Sequence, residues 1–135
     1  MEQALAGRAG AGRLAGSAAI KVIAVVRDLF FVARIRETAR LVGTPLAFAR
    51  TPEEIRATVA DGPTDLAIVD LTTGGWDYEA IFDALAGAAG APILGFTTHA
   101  LARETQPLHA RCRRVVTKET LTQELPALLQ RGLAA

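Results

Sequence analysis

Two carboxylates, a hydroxyl and a lysine each stand at the end of an apolar run in this sequence. Asp28 follows "VIAVVR", Asp70 follows "LAIV", Thr97 closes "PILGFT", and Lys118 comes just past "RRVV". Runs this apolar read as buried strands. A carboxylate at such an end is either a turn residue or a chemical group held at the mouth of a sheet. Taken singly, Asp28 and Asp70 suit capping and turn roles, and Thr97 suits an ordinary β-branched strand position. The loop after Asp70, "LTTGG", adds backbone amides ahead of a helix start, where anions bind. It follows the third strand rather than the first and lacks a full phosphate-loop pattern, so by itself it does not specify a phosphate or flavin site.

The elements that must position these groups follow in order. "IKVIAVV" (20–26) is a β-branched run of strand length. "LFFVARIRETARLVG" carries Phe31, Ile35, Thr38 and Val42 at helical spacing, with Gly43 as its stop. "PLAFA" (45–49) predicts a short second strand. Thr51 then takes an N-cap position, Pro52 the first helical position, and Glu54 completes a capping box. "LAIVD" (66–70) is the third strand. A helix from about Asp77 carries Ile81, Phe82 and Leu85 and ends at Gly87 and Gly90. "PILGFT" (92–97) is the fourth strand, and a helix over roughly 99–110 is disturbed by Pro107. "RRVV" (113–116) is the fifth strand. The last helix, boxed by Thr120 and Gln123 with Pro126 early in it, runs to about Leu133. Five strands alternating with five helices on short loops predict a single α/β domain over 20–135. The expected architecture is a doubly wound, flavodoxin-like parallel sheet of order 2-1-3-4-5. Its ligand crevice lies at the carboxyl ends of strands 1 and 3, where Arg27, Asp28 and Asp70 fall.

Composition bounds the function classes. The 135 residues suit one core, and a net charge of +1 creates no global field toward nucleic acid or an anionic membrane. The single cysteine, Cys112, excludes an intramolecular disulfide, fits a reducing cytoplasm, and reads as a small core filler. The apolar stretch "ALAGAAGAPILGF" is too short to span a bilayer. The first 19 residues hold seven Ala and four Gly without the apolar core of a signal peptide. They read as a flexible extension in which Arg8 and Arg13 are solvated. His99 and His109 form no recognised zinc motif. "ARCRR" (110–114) has no interleaved aromatic residue and reads as a solvated basic patch. Trp76, the only tryptophan, lies in the loop beside Asp70.

In this order and on this topology, Asp28, Asp70, Thr97 and Lys118 resemble the receiver domain of bacterial response regulators, of the chemotaxis-regulator type. The resemblance spans about 20–133 through "VIAVVRD", "DLAIVDLTTGGWD", "APILGFTT" and "RVVTKE". It implies a phosphoryl group passed from a histidine kinase to Asp70, and a magnesium ion held by Asp70 and Asp28. It implies Thr97 as the switch hydroxyl, Lys118 as the cation on the phosphoryl oxygens, and Thr72 offering its backbone carbonyl to the metal. Asp77 matches a helix N-cap. A carboxylate is a poor nucleophile toward an anionic phosphoryl group until nearby charge is neutralised, which is the task of the metal and the lysine.

The sequence also departs from that pattern. Arg27 stands where the first of two acids is usual, Val115 where an aromatic switch is usual, Glu119 where a proline follows the lysine, and Gly74 where the loop carries a proline. Two carboxylates then face two cations, whereas an intact pocket sets three carboxylates against one lysine. Arg27 can also occupy carboxylate oxygens bidentately where the metal would sit, or swing to solvent. The expected function is a cytoplasmic receiver-like signalling module acting mainly through protein–protein interaction, a pseudo-receiver with weakened or absent magnesium and phospho-acceptor sites. Its partners would be a histidine kinase, a phosphotransfer protein or an output protein, with a homodimer through helix 4, strand 5 and helix 5 as an option. No organic cofactor is expected, and no enzymatic activity beyond self-catalysed phosphoryl transfer to Asp70. The alternatives are a working magnesium-dependent receiver and a flavodoxin-like protein binding a flavin or nucleotide.

Overall fold

The computed structural model describes residues 20–87 and 91–133. The segment 1–19, with Arg8 and Arg13, and the helix stop expected at Gly90 lie outside the described residues. Along the chain run β1 (Val22–Val25), α1 (Leu29–Val42), β2 (Leu46–Phe48), α2 (Pro52–Ala60), β3 (Leu66–Asp70), α3 (Tyr78–Ala86), β4 (Ile93–Thr97), α4 (Gln106–His109), β5 (Arg114–Thr117) and α5 (Lys118–Arg131). The strands form one sheet of order β2-β1-β3-β4-β5, every pair parallel, as the alternation of elements predicts. No helix among the described residues is long and apolar enough to cross a membrane.

Strand side chains alternate between two faces, and parity decides which helices each one meets. Val22, Ala24, Leu66, Ile68, Leu94 and Phe96 join Phe31, Ile35 and Ala39 of α1 and Leu121, Leu125 and Leu129 of α5 in one core. Ile23, Val25, Ala67 and Val69 join Ile55 of α2 and Ile81, Phe82 and Leu85 of α3 in the other. Both faces are covered, so the inner strands are apolar at successive positions instead of alternating. Each fully buried Val, Leu, Ile or Phe among them contributes roughly 1.5–3 kcal/mol.

Local signals set most of the boundaries. The Thr51 hydroxyl accepts from the Glu54 amide at 3.1 Å, while the Glu54 carboxylate reaches back to the Arg50 amide at 2.7 Å, one residue earlier than in the usual box. The buried stripe of α1 is Phe31, Ile35 and Ala39, whereas Thr38 donates its hydroxyl to the Arg34 carbonyl. Gly43 closes α1 at φ 74°, the left-handed conformation that favours glycine there.

Two helices differ from expectation. The segment expected to be helical over 99–110 is a series of turns through Thr105 followed by a single helical turn, Gln106–His109. Pro107 has no N–H and disfavours a helical residue before it, so it starts a short helix and does not interrupt a long one. In α5 the cap is Thr117, not Thr120: the Thr117 hydroxyl accepts from the Thr120 amide at 3.2 Å. The helix therefore begins at Lys118, directly on the strand. Pro126 lies in the helix interior, leaving the Thr122 carbonyl without its usual amide, and α5 continues to Arg131.

Cys112 is half-buried beside Gly95, with Leu108 packed nearby. Burial pushes its thiol up to about 11. At pH about 8 the thiolate fraction then falls roughly 200-fold below that of a free cysteine, so reaction with a disulfide reagent should slow by that order and recover in denaturant. Native labelling as fast as denatured labelling would contradict this environment.

Candidate functional site

β1 and β3 end side by side, and the sheet order reverses between them, leaving a crevice at their carboxyl ends. A cavity of about 450 Å³ lies there. Arg27, Asp28, Asp70 and Lys118 line it, with the Thr72–Thr73–Gly74 loop on one side and Phe96 and Thr98 of the β4 end on another. Asp28, Asp70, Thr72 and Lys118, with the Arg27 that the sequence set beside them, thus meet at one place. Thr97 is not on that wall.

Asp70 closes β3 in register with Phe96, on the side of the sheet that faces α1 and α5. It is only 6 % exposed. Its Oδ1 accepts from the Thr72 amide at 2.9 Å and from the Thr72 hydroxyl at 2.7 Å, an Asx-type turn that orients the carboxylate. Oδ2 has no protein donor among the described residues. Tyr78 pins the loop from behind: its hydroxyl donates to the Asp70 carbonyl at 2.6 Å and accepts from the Thr73 amide at 3.0 Å. Burial pushes the Tyr78 phenol up. Trp76 stacks edge-on against Tyr78, with ring centroids 6.0 Å apart.

Asp28 has both oxygens engaged. Oδ1 caps α1 by accepting from the Phe30 and Phe31 amides at 2.9 and 3.3 Å, and Oδ2 accepts from Lys118 Nζ at 3.1 Å. Lys118 therefore pairs with Asp28 and not with Asp70, while its ammonium also lies 4.9 Å from the centre of the Phe31 ring. The Lys118 hydrogen bond, then the Phe31 amide, hold the Asp28 carboxyl below its ordinary value. A depressed folded value gives stability that is present above the unfolded carboxylate range, near pH ~4, and is lost as pH falls through the folded value. The group is well solvated, so the term is at most about 1 kcal/mol. Urea unfolding of Asp28→Asn, which keeps a capping side chain, should show a shallower loss of stability than wild type between about pH 5 and about pH 3. Equal pH slopes would mean that Asp28 contributes nothing to the acid sensitivity.

Arg27 is exposed at the cavity wall and forms no ion pair with Asp28, Asp70 or any other described residue. The bidentate capture of carboxylate oxygens open to it is not what the structure shows. Thr97 is buried and faces the α4 side, because odd positions of β4 point away from Asp70's face. Its hydroxyl accepts from the Thr105 hydroxyl at 3.0 Å, and Thr105 in turn lies 2.9 Å from His109 Nε2. His109, which has no partner visible in the sequence, thus ends a chain of polar groups running to the sheet edge. Among residues not singled out from sequence, Thr98 and Phe96 line the cavity and Tyr78 anchors its loop. A period of two along β4 puts Phe96 on the face opposite to Thr97, and the strand register then sets it beside Asp70. Nothing local marked Tyr78.

Two other expectations are resolved by contacts. Arg111 of the basic run pairs with Asp83 at 2.9 Å and lies over the Phe82 ring, and Arg114 pairs with Glu124 at 2.9 Å. Those charges are matched within the molecule. Asp77 caps α3, accepting from the Ala80 amide at 3.1 Å.

No protein-family model matches the chain, and no curated protein matches it. Solved structures do. The chemotaxis response regulator CheY4 of Vibrio cholerae is 22% identical, with a TM-score of 0.66 over 85% of this chain and 99% of that one. The receiver domain of a sensor histidine kinase from Pseudomonas aeruginosa PAO1, solved with a magnesium ion in its active-site cleft, is 19% identical, with a TM-score of 0.66 over 84% and 97% of the two chains. A response regulator from Hahella chejuensis is 18% identical, with a TM-score of 0.67 over 86% and 99%. The chain has the five-stranded fold of response-regulator receiver domains.

Proposed function

We propose that this chain is a receiver-type signalling module that acts mainly through protein–protein contact, with Asp70 at the phospho-acceptor position and a magnesium site that is weakened or lost. Its partners on this reading are a histidine kinase, a phosphotransfer protein or an output protein. The observation that carries it is the state of the two carboxylates. Magnesium takes near-octahedral oxygen ligands and favours anionic ones. Here Asp28 commits both oxygens to a helix cap and a lysine, Asp70 commits one to Thr72, and Arg27 brings a positive charge to the wall. One carboxylate oxygen and the Thr72 carbonyl are a poor set for a divalent ion, so the residues do not fit magnesium well.

Trp76 packs on Tyr78, whose hydroxyl holds the loop that follows Asp70, so its emission reports on that loop. Millimolar magnesium should give no saturable change in wild-type fluorescence. A saturable response that vanishes in Asp70→Asn would overturn the weakened-metal reading in favour of an ordinary magnesium-dependent receiver. The flavin alternative draws less from the geometry. Phe96 is the one aromatic side chain lining the cavity among the described residues, while Trp76 and Tyr78 pack on each other outside it.

A further inference from the structure

We propose that Arg27 takes the place of the divalent cation, so that Asp70 accepts a phosphoryl group from an acyl phosphate without any metal. The inference rests on the receiver reading of this cavity. An acid at position 27 together with a divalent ion brings one net positive charge to the site, and Arg27 brings the same charge alone. The metal-free cavity of this chain is therefore charge-matched to a metal-loaded one, both before and after a phosphoryl group arrives.

The geometry agrees with the charge. Arg27, Lys118 and Asp70 line the same cavity. Lys118 is committed to Asp28 at 3.1 Å, whereas Arg27 has no partner among the described residues and keeps its planar fork of donors for an oxyanion. Thr98 lines the same cavity, its hydroxyl accepting from the Leu101 amide at 3.2 Å. Asp70 Oδ1 is held by Thr72, and Oδ2 is the oxygen left to react. In the step, an Oδ2 lone pair attacks phosphorus and an O–P bond forms. The bond from phosphorus to the acyl oxygen breaks, and its electron pair leaves with the departing carboxylate. No proton moves. Arg27 neutralises the charge on the phosphoryl oxygens, which is where phosphoryl transfer needs stabilisation, while Lys118 stays paired with Asp28 on the same wall.

The test is intact mass after incubation with acetyl phosphate, with magnesium or with chelator. It compares wild type, D70N, R27Q and R27D, with thermal unfolding as a check that each is folded. Wild type should gain one phosphoryl adduct at similar rates in both conditions, and D70N none. R27Q should label roughly tenfold or more slowly. R27D, which restores the acid, should label only with magnesium. Wild-type labelling that needs magnesium overturns the inference and leaves the receiver reading standing. Labelling of R27D alone does the same, with Arg27 then a block to the site. Metal-free labelling of R27D or R27Q as fast as wild type removes Arg27 from the chemistry. An adduct that persists in D70N, or no adduct on any folded variant, overturns both the inference and the role of Asp70.

Discussion

Phe96→Ala should lower the unfolding free energy by about 3–5 kcal/mol, measured by urea denaturation at neutral pH. Phe96 is 2 % exposed and packs its ring 5.1 Å from that of Phe31, so truncation removes an aromatic pair as well as a large buried area. The loss is a large share of the roughly 5–15 kcal/mol typical of a whole domain. It also bears on the site, because Phe96 lies in register with Asp70 and lines the cavity. Phe96→Leu, which retains most of the volume, should cost distinctly less. A loss below about 1 kcal/mol for the alanine variant would mean that the core recloses around the gap, contrary to the packing described.

Gly95→Val is expected to destabilise by about 1–3 kcal/mol or more, although a β-branched residue ordinarily favours a strand. A Cβ at Gly95 would lie 2.7 Å from Cys112 Sγ and 2.9 Å from Leu71 Cδ1, closer than real Cβ contacts come. Leu71 directly follows Asp70, and its amide bonds the Phe96 carbonyl at 2.9 Å. Relief of the clash by moving Leu71 therefore shifts the loop that orients Asp70. Denaturant unfolding reads the stability, and Trp76 emission reads the loop. Gly95→Ala should show the same direction with a smaller amplitude, and adding Cys112→Ala should restore part of the loss. A stabilised Gly95→Val protein would show that the space between the sheet and the α4 segment is larger than these distances allow.

Much of the site was legible because its positions follow from chain periodicity. Apolar runs of strand length, separated by capped helices, force a parallel sheet, and a parallel sheet with one reversal places the ends of strands 1 and 3 together. That is enough to bring Asp28 and Asp70 to one crevice. Lys118 was legible as a residue of the site but not as Asp28's partner. Its direction depends on α5 beginning at the strand end, which was decided by Thr117 capping in place of Thr120. The turns at 99–105 were hidden because helical composition there is overruled by Pro107 and by the Thr105 hydroxyl bonding Thr97.

The sequence by itself determined the order of the sheet, the two-faced core and the edge at which the polar residues gather. Those depend on unbroken apolar runs of strand length and on the roughly four-residue spacing of the helices between them, which local stretches of chain carry. Only the tertiary structure decided which polar atoms meet. Thr97 turned to Thr105 and His109, Asp28 to Lys118, Asp70 to Thr72, and Arg27 to none of them. Such pairings join residues as far as 90 positions apart and hinge on ångström-scale differences in where a helix begins. Periodicity carries no information at that scale.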